Sequence, residues 1–222
     1  MTILRVLVGS RAHGLAGPDA DYDYRGVFVT PTSVILSIGT PKPRETAWME
    51  GEKTEDGKLD ATAWEIGHFL ALATHCNPTI LEVFCAPVIE ADEDGQRLRA
   101  LFSSIWHPKG VRDAFVGYGL NQRKKFLEDK DRRPAKYASA YLRVLYQAAI
   151  LLESGVLPVD LRGSPVFPTL QHWREGRFTK GEVIDECLVW QQAVEDRYTR
   201  CEQMPRLDAV NEFLLDVRRR HW

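Results

Sequence analysis

Strand patterning in this chain is confined to the first ninety or so residues, and the remainder reads as helix. Ile3 to Val8 is a run of branched apolar side chains that stops at Gly9-Ser10, the pattern of a buried strand followed by a turn. After the loop Gly14–Ala20, the segment Asp21–Val29 has strand composition and stops before Pro31. Two short strands around the turn-prone Glu55-Asp56-Gly57, at Glu45–Trp48 and Lys58–Thr62, would make a hairpin. Thr62 is placed to cap a helix beginning at Ala63, with Glu65 in capping-box spacing. Trp64, Phe69 and Leu72 give that helix an apolar stripe, and Pro78 ends it and opens a short helix through Phe84.

From about Ala91 the period changes to that of helices. Asp92–Ile105, Val111–Glu128, Ala135–Ser154, Thr179–Cys201 and Arg206–Arg220 are all predicted helices. In the third, Tyr137, Tyr141, Val144, Leu145, Ala148 and Leu152 share one face. Gly155–Pro168, rich in proline and glycine, reads as a loop. Strands first and helices afterwards predict an α+β fold: a small mixed β-sheet with flanking helices in residues 1–90, then an all-helical unit in residues 91–222.

Composition narrows the function classes. The 222 residues are 44% hydrophobic and 27% charged, with 29 Lys+Arg against 31 Asp+Glu, which excludes a disordered chain. A net charge of −2 also argues against broad coating of nucleic acid, which needs a basic surface. The acidic excess lies before residue 110 and the basic excess after it, concentrated in Arg123–Arg143. Glu90, Asp92, Glu93 and Asp94 read as solvated charge, and Arg218-Arg219-Arg220 as cations favoured at a helix C-terminus. No apolar stretch approaches the ~20 residues of a membrane span, and the N-terminal run reads as a first strand rather than a leader. Cys76, Cys85, Cys187 and Cys201 are scattered, with neither zinc nor disulfide spacing, and fit free thiols in the cytoplasm.

The chemistry gathers in Val8–Gly26. A strand ending in Gly9-Ser10, with a helical turn starting at Ser10, leaves backbone N–H groups unpaired where an anion can sit. Asp21 and Asp23 are two apart on a predicted strand, so both carboxylates project to one face. Like charges that close are tolerated mainly with a cation between them, and hard oxygen donors suit Mg²⁺ or Mn²⁺. Asp60, on a second predicted strand, is the candidate third carboxylate. Three carboxylates beside an anion-binding turn make a two-metal site for phosphoryl or nucleotidyl transfer.

Gly-Ser, ten intervening residues and Asp-hydrophobe-Asp resemble the signature of the DNA polymerase β superfamily of nucleotidyltransferases. The longer strings GSRAHGLAGPDADYDYRGVFV and DATAWEIGHFLALATHCNPTILEVF resemble one branch, the predicted nucleotidyltransferases associated with RNA repair in bacteria and phages. The likeness spans residues 4–88 and continues weakly to about residue 155 through FVGYGLNQRKKF and KYASAYLR. It implies Gly9 and Ser10 as triphosphate-loop residues, and Asp21, Asp23 and Asp60 as catalytic ligands of two Mg²⁺ or Mn²⁺ ions. NTP is then the substrate, an RNA end the favoured acceptor and pyrophosphate the product. Arg25 matches the branch pattern and can pair with the aspartates or touch phosphate. Two positions depart from it: Ala20, where Ser is usual, and Ala140, where the pattern has His three residues before Arg143.

Arg11 and His13 lie in the same loop; either can reach a triphosphate or stay solvated. Lys136 and Arg143, with Lys124 and Lys125, are candidate phosphate-binding residues of the helical half, or plain solvated charge. Two rivals to the transferase remain. A non-catalytic nucleotide-binding or interaction module would keep the same fold. An Asp-x-Asp phosphatase would place its aspartates directly after the apolar strand, whereas here they come ten residues beyond Gly9-Ser10.

Overall fold

The structure, a computed structural model, describes residues 1–38, 46–48 and 60–222. In chain order its elements are β1 (Thr2–Val8), α1 (Gly9–Ala12), β2 (Asp23–Phe28), α2 (Thr32–Leu36), β3 (Thr46–Trp48) and β4 (Asp60–Glu65). Then come α3 (Ile66–Thr74), α4 (Pro78–Cys85), β5 (Val88–Ala91), α5 (Glu93–Ala100) and α6 (Phe102–Ile105). The remainder is helical: α7 (Pro108–Leu127), α8 (Pro134–Ser154), α9 (Phe167–Arg174), α10 (Lys180–Tyr198) and α11 (Leu207–Arg220). The expected α+β class is observed, strands early and helices late.

Two compact units result. The first comprises Met1–Thr74, Thr79–Ile105 and Pro205–Trp222; the second comprises His75–Pro78 and Trp106–Met204. A boundary at residue 90 therefore falls inside the first unit, because α5 packs on β1 and the C-terminal helix returns to it. The approach of α5 is close enough to require glycine: a Cβ on Gly95 would stand 2.1 Å from the Ile3 carbonyl oxygen. Asp92 caps that helix, its carboxylate accepting from Gly95 N–H at 2.8 Å.

The first unit is built on a five-stranded mixed sheet in the order β3-β4-β2-β1-β5. β2 and β4 run parallel, and every other pairing is antiparallel. β1 lies inside the sheet between β2 and β5, with Leu4 and Val6 fully enclosed. Rings extend the core outward from the sheet: Trp64–Phe69 at 6.4 Å, Phe69–Phe84 at 5.1 Å and Phe84–Phe102 at 6.0 Å between centroids.

Several local expectations change. β3 and β4 do pair antiparallel, Ala47 opposite Ala63, but the turn Glu55-Asp56-Gly57, with Glu45 and Lys58-Leu59, lies outside the described residues. The helix expected from Ala63 starts at Ile66, because Ala61–Glu65 is held extended between β2 and β3. Glu65 still serves that helix from just ahead of it, its carboxylate accepting from Gly67 N–H at 2.7 Å. β5, unmarked by alternation, is an exposed edge strand that exists only through its pairing with β1. The expected helix Asp92–Ile105 is two, α5 and α6, whereas the loop expected at Gly155–Pro168 is observed as far as Val166, after which α9 begins.

The second unit is a helical bundle in which α8 packs against α7, α9 and α10. The predicted face of α8 is its buried face: Tyr141, Val144, Leu145 and Ala148 are fully enclosed. Its ends obey sequence rules, with Pro134 in the first turn and Gly155 left-handed at the C-terminus (φ 74°). Thr179 and Glu182 form a capping box on α10. Among the described residues no helix is long and apolar enough to cross a membrane.

Candidate functional site

Three neighbouring strands bring the candidate residues to one end of the sheet. Val8, the last residue of β1, pairs with Asp23, the first of β2. Asp23 in turn pairs with Asp60, the first of β4. The backbone therefore sets Gly9, Asp23 and Asp60 in one row; the Asp60 side chain lies outside the described residues.

Gly9 is required twice over. Its φ of +71° is left-handed, which a side chain makes costly. The place its Cβ would take is already filled, 2.0 Å from Asp23 Oδ2 and 2.9 Å from Asp23 Cγ. The bare α-carbon is the seat on which the Asp23 carboxylate rests. Beyond it α1 makes a single helical turn, with His13 N–H donating to the Gly9 carbonyl at 3.1 Å and Leu15 N–H to that of Ser10 at 2.9 Å. Ser10 stands half-buried in this turn, beside the strand end.

Asp21 is placed differently from the expectation. β2 begins at Asp23, since β1 ends opposite it, so Asp21 lies in the irregular segment ahead of the strand and is exposed. The pleat therefore does not place it beside Asp23. Arg11 holds that loop: its Nε and Nη2 donate to the Ala20 carbonyl at 3.0 and 2.6 Å. Its guanidinium also lies 3.8 Å from the centre of the Tyr22 ring. Arg11 thus grips the residues on both sides of Asp21, a positioning contact that residue spacing alone did not reveal. Arg25, two places beyond Asp23 on the same face of β2, lies with its guanidinium 5.7 Å from the Trp64 ring.

His13 is neither solvated nor turned outward. It is buried, with Nε2 3.4 Å from Oε1 of the buried Glu82. Lys136 and Arg143 belong to the second unit, two turns apart along α8. Lys136 is exposed, while Arg143 Nη1 donates to Gln147 Oε1 at 2.9 Å, whose amide donates on to the Pro158 carbonyl at 2.8 Å. Lys124 is exposed, and Lys125 Nζ lies 5.8 Å from the Tyr137 ring centre.

The C-terminal arginines are not simply cations at a helix end. Arg218 makes a two-pronged ion pair with Glu65, Nη1 to Oε1 at 2.7 Å and Nη2 to Oε2 at 2.8 Å. Arg220 pairs with Asp94, which also meets His221 Nε2 at 2.9 Å. Asp94 is accordingly buried rather than solvated, its side chain only 5% exposed. No local pattern announces either pair, because the partners are far apart in sequence.

A glycine-seated carboxylate thus stands at the head of a strand, beside a tight turn on a mixed sheet. Residues 1–174 match RlaP, the RNA repair pathway DNA polymerase beta family, and the chain belongs to that family. An uncharacterized protein of Bacillus subtilis (strain 168), YcgL, is 26% identical over 152 residues, 68% of this chain and 56% of that protein. The chain thus spans little more than half the length of this curated relative. A nucleotidyltransferase-like protein from Exiguobacterium sibiricum 255-15, known as a crystal structure, aligns over 99% of this chain and 74% of its own, at 12% identity and a TM-score of 0.32.

Proposed function

We propose that the protein is a metal-dependent nucleotidyltransferase that moves an NMP from an NTP to an acceptor hydroxyl, with an RNA end as the favoured acceptor. The observation that carries the reading is the seat at Gly9, where the Asp23 carboxylate takes the space of a Cβ and Asp60 is the next residue across the sheet. Such a seat keeps a carboxylate at the strand end at the expense of any side chain on the turn. Membership of an RNA-repair family supports the choice of acceptor.

The donor set fits a divalent ion. Asp21, Asp23 and Asp60 offer only hard carboxylate oxygens, suited to two Mg²⁺ or Mn²⁺ ions. When bound, the ions supply charge neutralisation of the triphosphate and of the oxygens that gain charge during transfer. The chain's own groups do the rest. Gly9 and Ser10 receive the β- and γ-phosphates against the turn, and Arg25 adds a cation on the face that carries Asp23. Asp60 favours loss of the acceptor's hydroxyl proton. The acceptor oxygen then bonds to the α-phosphorus, the bond from that phosphorus to the bridging oxygen breaks, and pyrophosphate leaves. Lys136 and Arg143 are proposed to bind phosphate, and the four free cysteines suit a reducing cytoplasm.

The test incubates the protein with each labelled NTP, Mg²⁺ or Mn²⁺, and an RNA bearing a free 3′ hydroxyl, beside a protein extract. Label on the RNA with release of pyrophosphate is the expected result. Asp21→Ala, Asp23→Ala and Asp60→Ala should each abolish it; turnover that survives all three substitutions refutes the assignment. Metal-dependent NTP binding without pyrophosphate would identify a non-catalytic nucleotide-binding module, and inorganic phosphate a phosphatase.

A further inference from the structure

The carboxylates at the head of β2 and β4 depend on the register between those two strands. β2 and β4 are a parallel pair, and the other neighbour of β4 is the three-residue β3. A slip of one residue would move Asp60 along the sheet by about 3.3 Å relative to Asp23 and turn it to the opposite face. Something must hold the register, and the far ends of the two strands carry a knot.

Glu65 ends β4, and Thr30 comes just after the end of β2. Glu65 Oε1 accepts from Thr30 N–H at 3.3 Å, and Oε2 accepts from Gly67 N–H at 2.7 Å. Arg218 closes the knot from α11: besides its two bonds to Glu65, Nη1 donates to the Thr30 carbonyl at 3.3 Å. The helix is fixed in turn by the Thr32 hydroxyl donating to the Arg218 carbonyl at 2.7 Å, and by Thr32 N–H donating to that of His221 at 2.7 Å. The pair is enclosed, with side chains 18% and 8% exposed for Arg218 and Glu65. Gly67 leaves room for it: a Cβ there would stand 3.0 Å from Arg218 Nη2. Arg218 lies beyond the family match, which ends at residue 174.

We propose that Arg218 is a positioning residue: by tying Glu65 to Thr30 it fixes the register of β4 on β2, and with it the placement of Asp60 beside Asp23. The inference rests on the proposed metal-dependent function, and makes the C-terminal helix a working part of the nucleotidyltransferase unit. It holds no substrate; it acts through Glu65 at the opposite end of the strands.

The full-length protein and its Arg218→Ala, Arg218→Lys and Val210→Ala variants are titrated with Mn²⁺ in the presence of a non-hydrolysable ATP analogue. Circular dichroism confirms that each is folded. Val210→Ala loosens the buried face of α11 without touching the knot. Arg218→Ala should weaken Mn²⁺ binding by at least about tenfold, the usual effect of removing a group that orients a ligand. Arg218→Lys, which keeps the charge but not the fork, should fall between, and Val210→Ala should match the wild type. Should Arg218→Ala fail to fold, Arg218→Lys decides alone. Wild-type binding in the Arg218 variants, or equal weakening by Val210→Ala, overturns the inference.

If the wild type itself binds no Mn²⁺, the metal-dependent function fails instead, and amide exchange judges the knot. Faster exchange across Asp23–Phe28 and Asp60–Glu65 in the Arg218 variants than in Val210→Ala supports it. Equal exchange overturns it.

Discussion

Replacing Gly9 by alanine tests the seat of the Asp23 carboxylate directly. The added methyl meets two penalties. At φ +71° a left-handed L-residue costs about 1–2 kcal/mol. The methyl would also stand 2.0 Å from Asp23 Oδ2, and forcing a group into filled space costs about 1–3 kcal/mol more. Relief requires the carboxylate to leave its seat, because Asp23 Cβ is itself 3.2 Å from the new methyl and its side chain is short. Gly9→Ala should therefore lower stability in urea by about 2–5 kcal/mol and weaken Mn²⁺ binding sharply. A misplacement of about 1 Å at a reacting centre can cost 10²-fold in rate. In an Asp23→Ala background the clash with Oδ2 and Cγ is gone, so the same substitution should cost only the backbone share. That coupling, read from a double-mutant cycle, distinguishes the seat from a general strain on the turn. Gly17→Ala is the control, since among the described residues nothing beyond its chain neighbours lies within 4 Å of the added carbon. Equal costs for Gly9→Ala in both backgrounds would refute the reasoning.

Buried groups elsewhere give further expected outcomes. Asp94→Ala removes a buried carboxylate shared by Arg220, Arg97 and His221, although both arginines keep Asp216 as a partner. It should cost about 2 kcal/mol in urea, short of the ~3–5 of a fully buried pair because Arg220 and Arg97 keep part of their surface in water; no change in midpoint would sink it. Asp160→Ala, breaking the exposed pair with Arg162, should leave the urea midpoint where it was. Burial pushes the Cys187 thiol above its ordinary value of 9.0 and Tyr141 up to about 12. Both hold their protons longer folded than unfolded, so their stabilisation is complete below pH 9 and is lost as pH rises toward the folded values. Urea midpoints should fall between pH 9 and 11, less steeply in Cys187→Ala; a flat profile contradicts the assignment. Tyr141→Phe removes a hydroxyl buried with no hydrogen-bond partner among the described residues, and should hold or raise the midpoint at pH 8.

Elements that depend on neighbours in sequence were legible before the structure. β1 and its glycine turn, the buried face of α8 and the helix beginning at Thr179 all announce themselves in short patterns, because strand period and helix period are local physics. Gly9 and Asp23 were legible for the same reason. The helix expected at Ala63 was not: Thr62 and Glu65 satisfy a capping pattern, but strand pairing on both sides of β4 overrides it. β5 was missed because four residues of edge strand carry no period of their own.

The amino-acid sequence by itself determined the order of strands and helices, the turn after the first strand and the aspartates that make the chain a candidate nucleotidyltransferase. Only the tertiary structure decided what holds them. It put the Asp23 carboxylate in the space of a Gly9 side chain, made Arg11 a brace for the Asp21 loop, and drew Arg218 and Arg220 back to Glu65 and Asp94. Charge in a sequence tells which residues can attract one another. Which of them meet, shielded from water where the attraction is strong, is settled only when the chain has closed on itself.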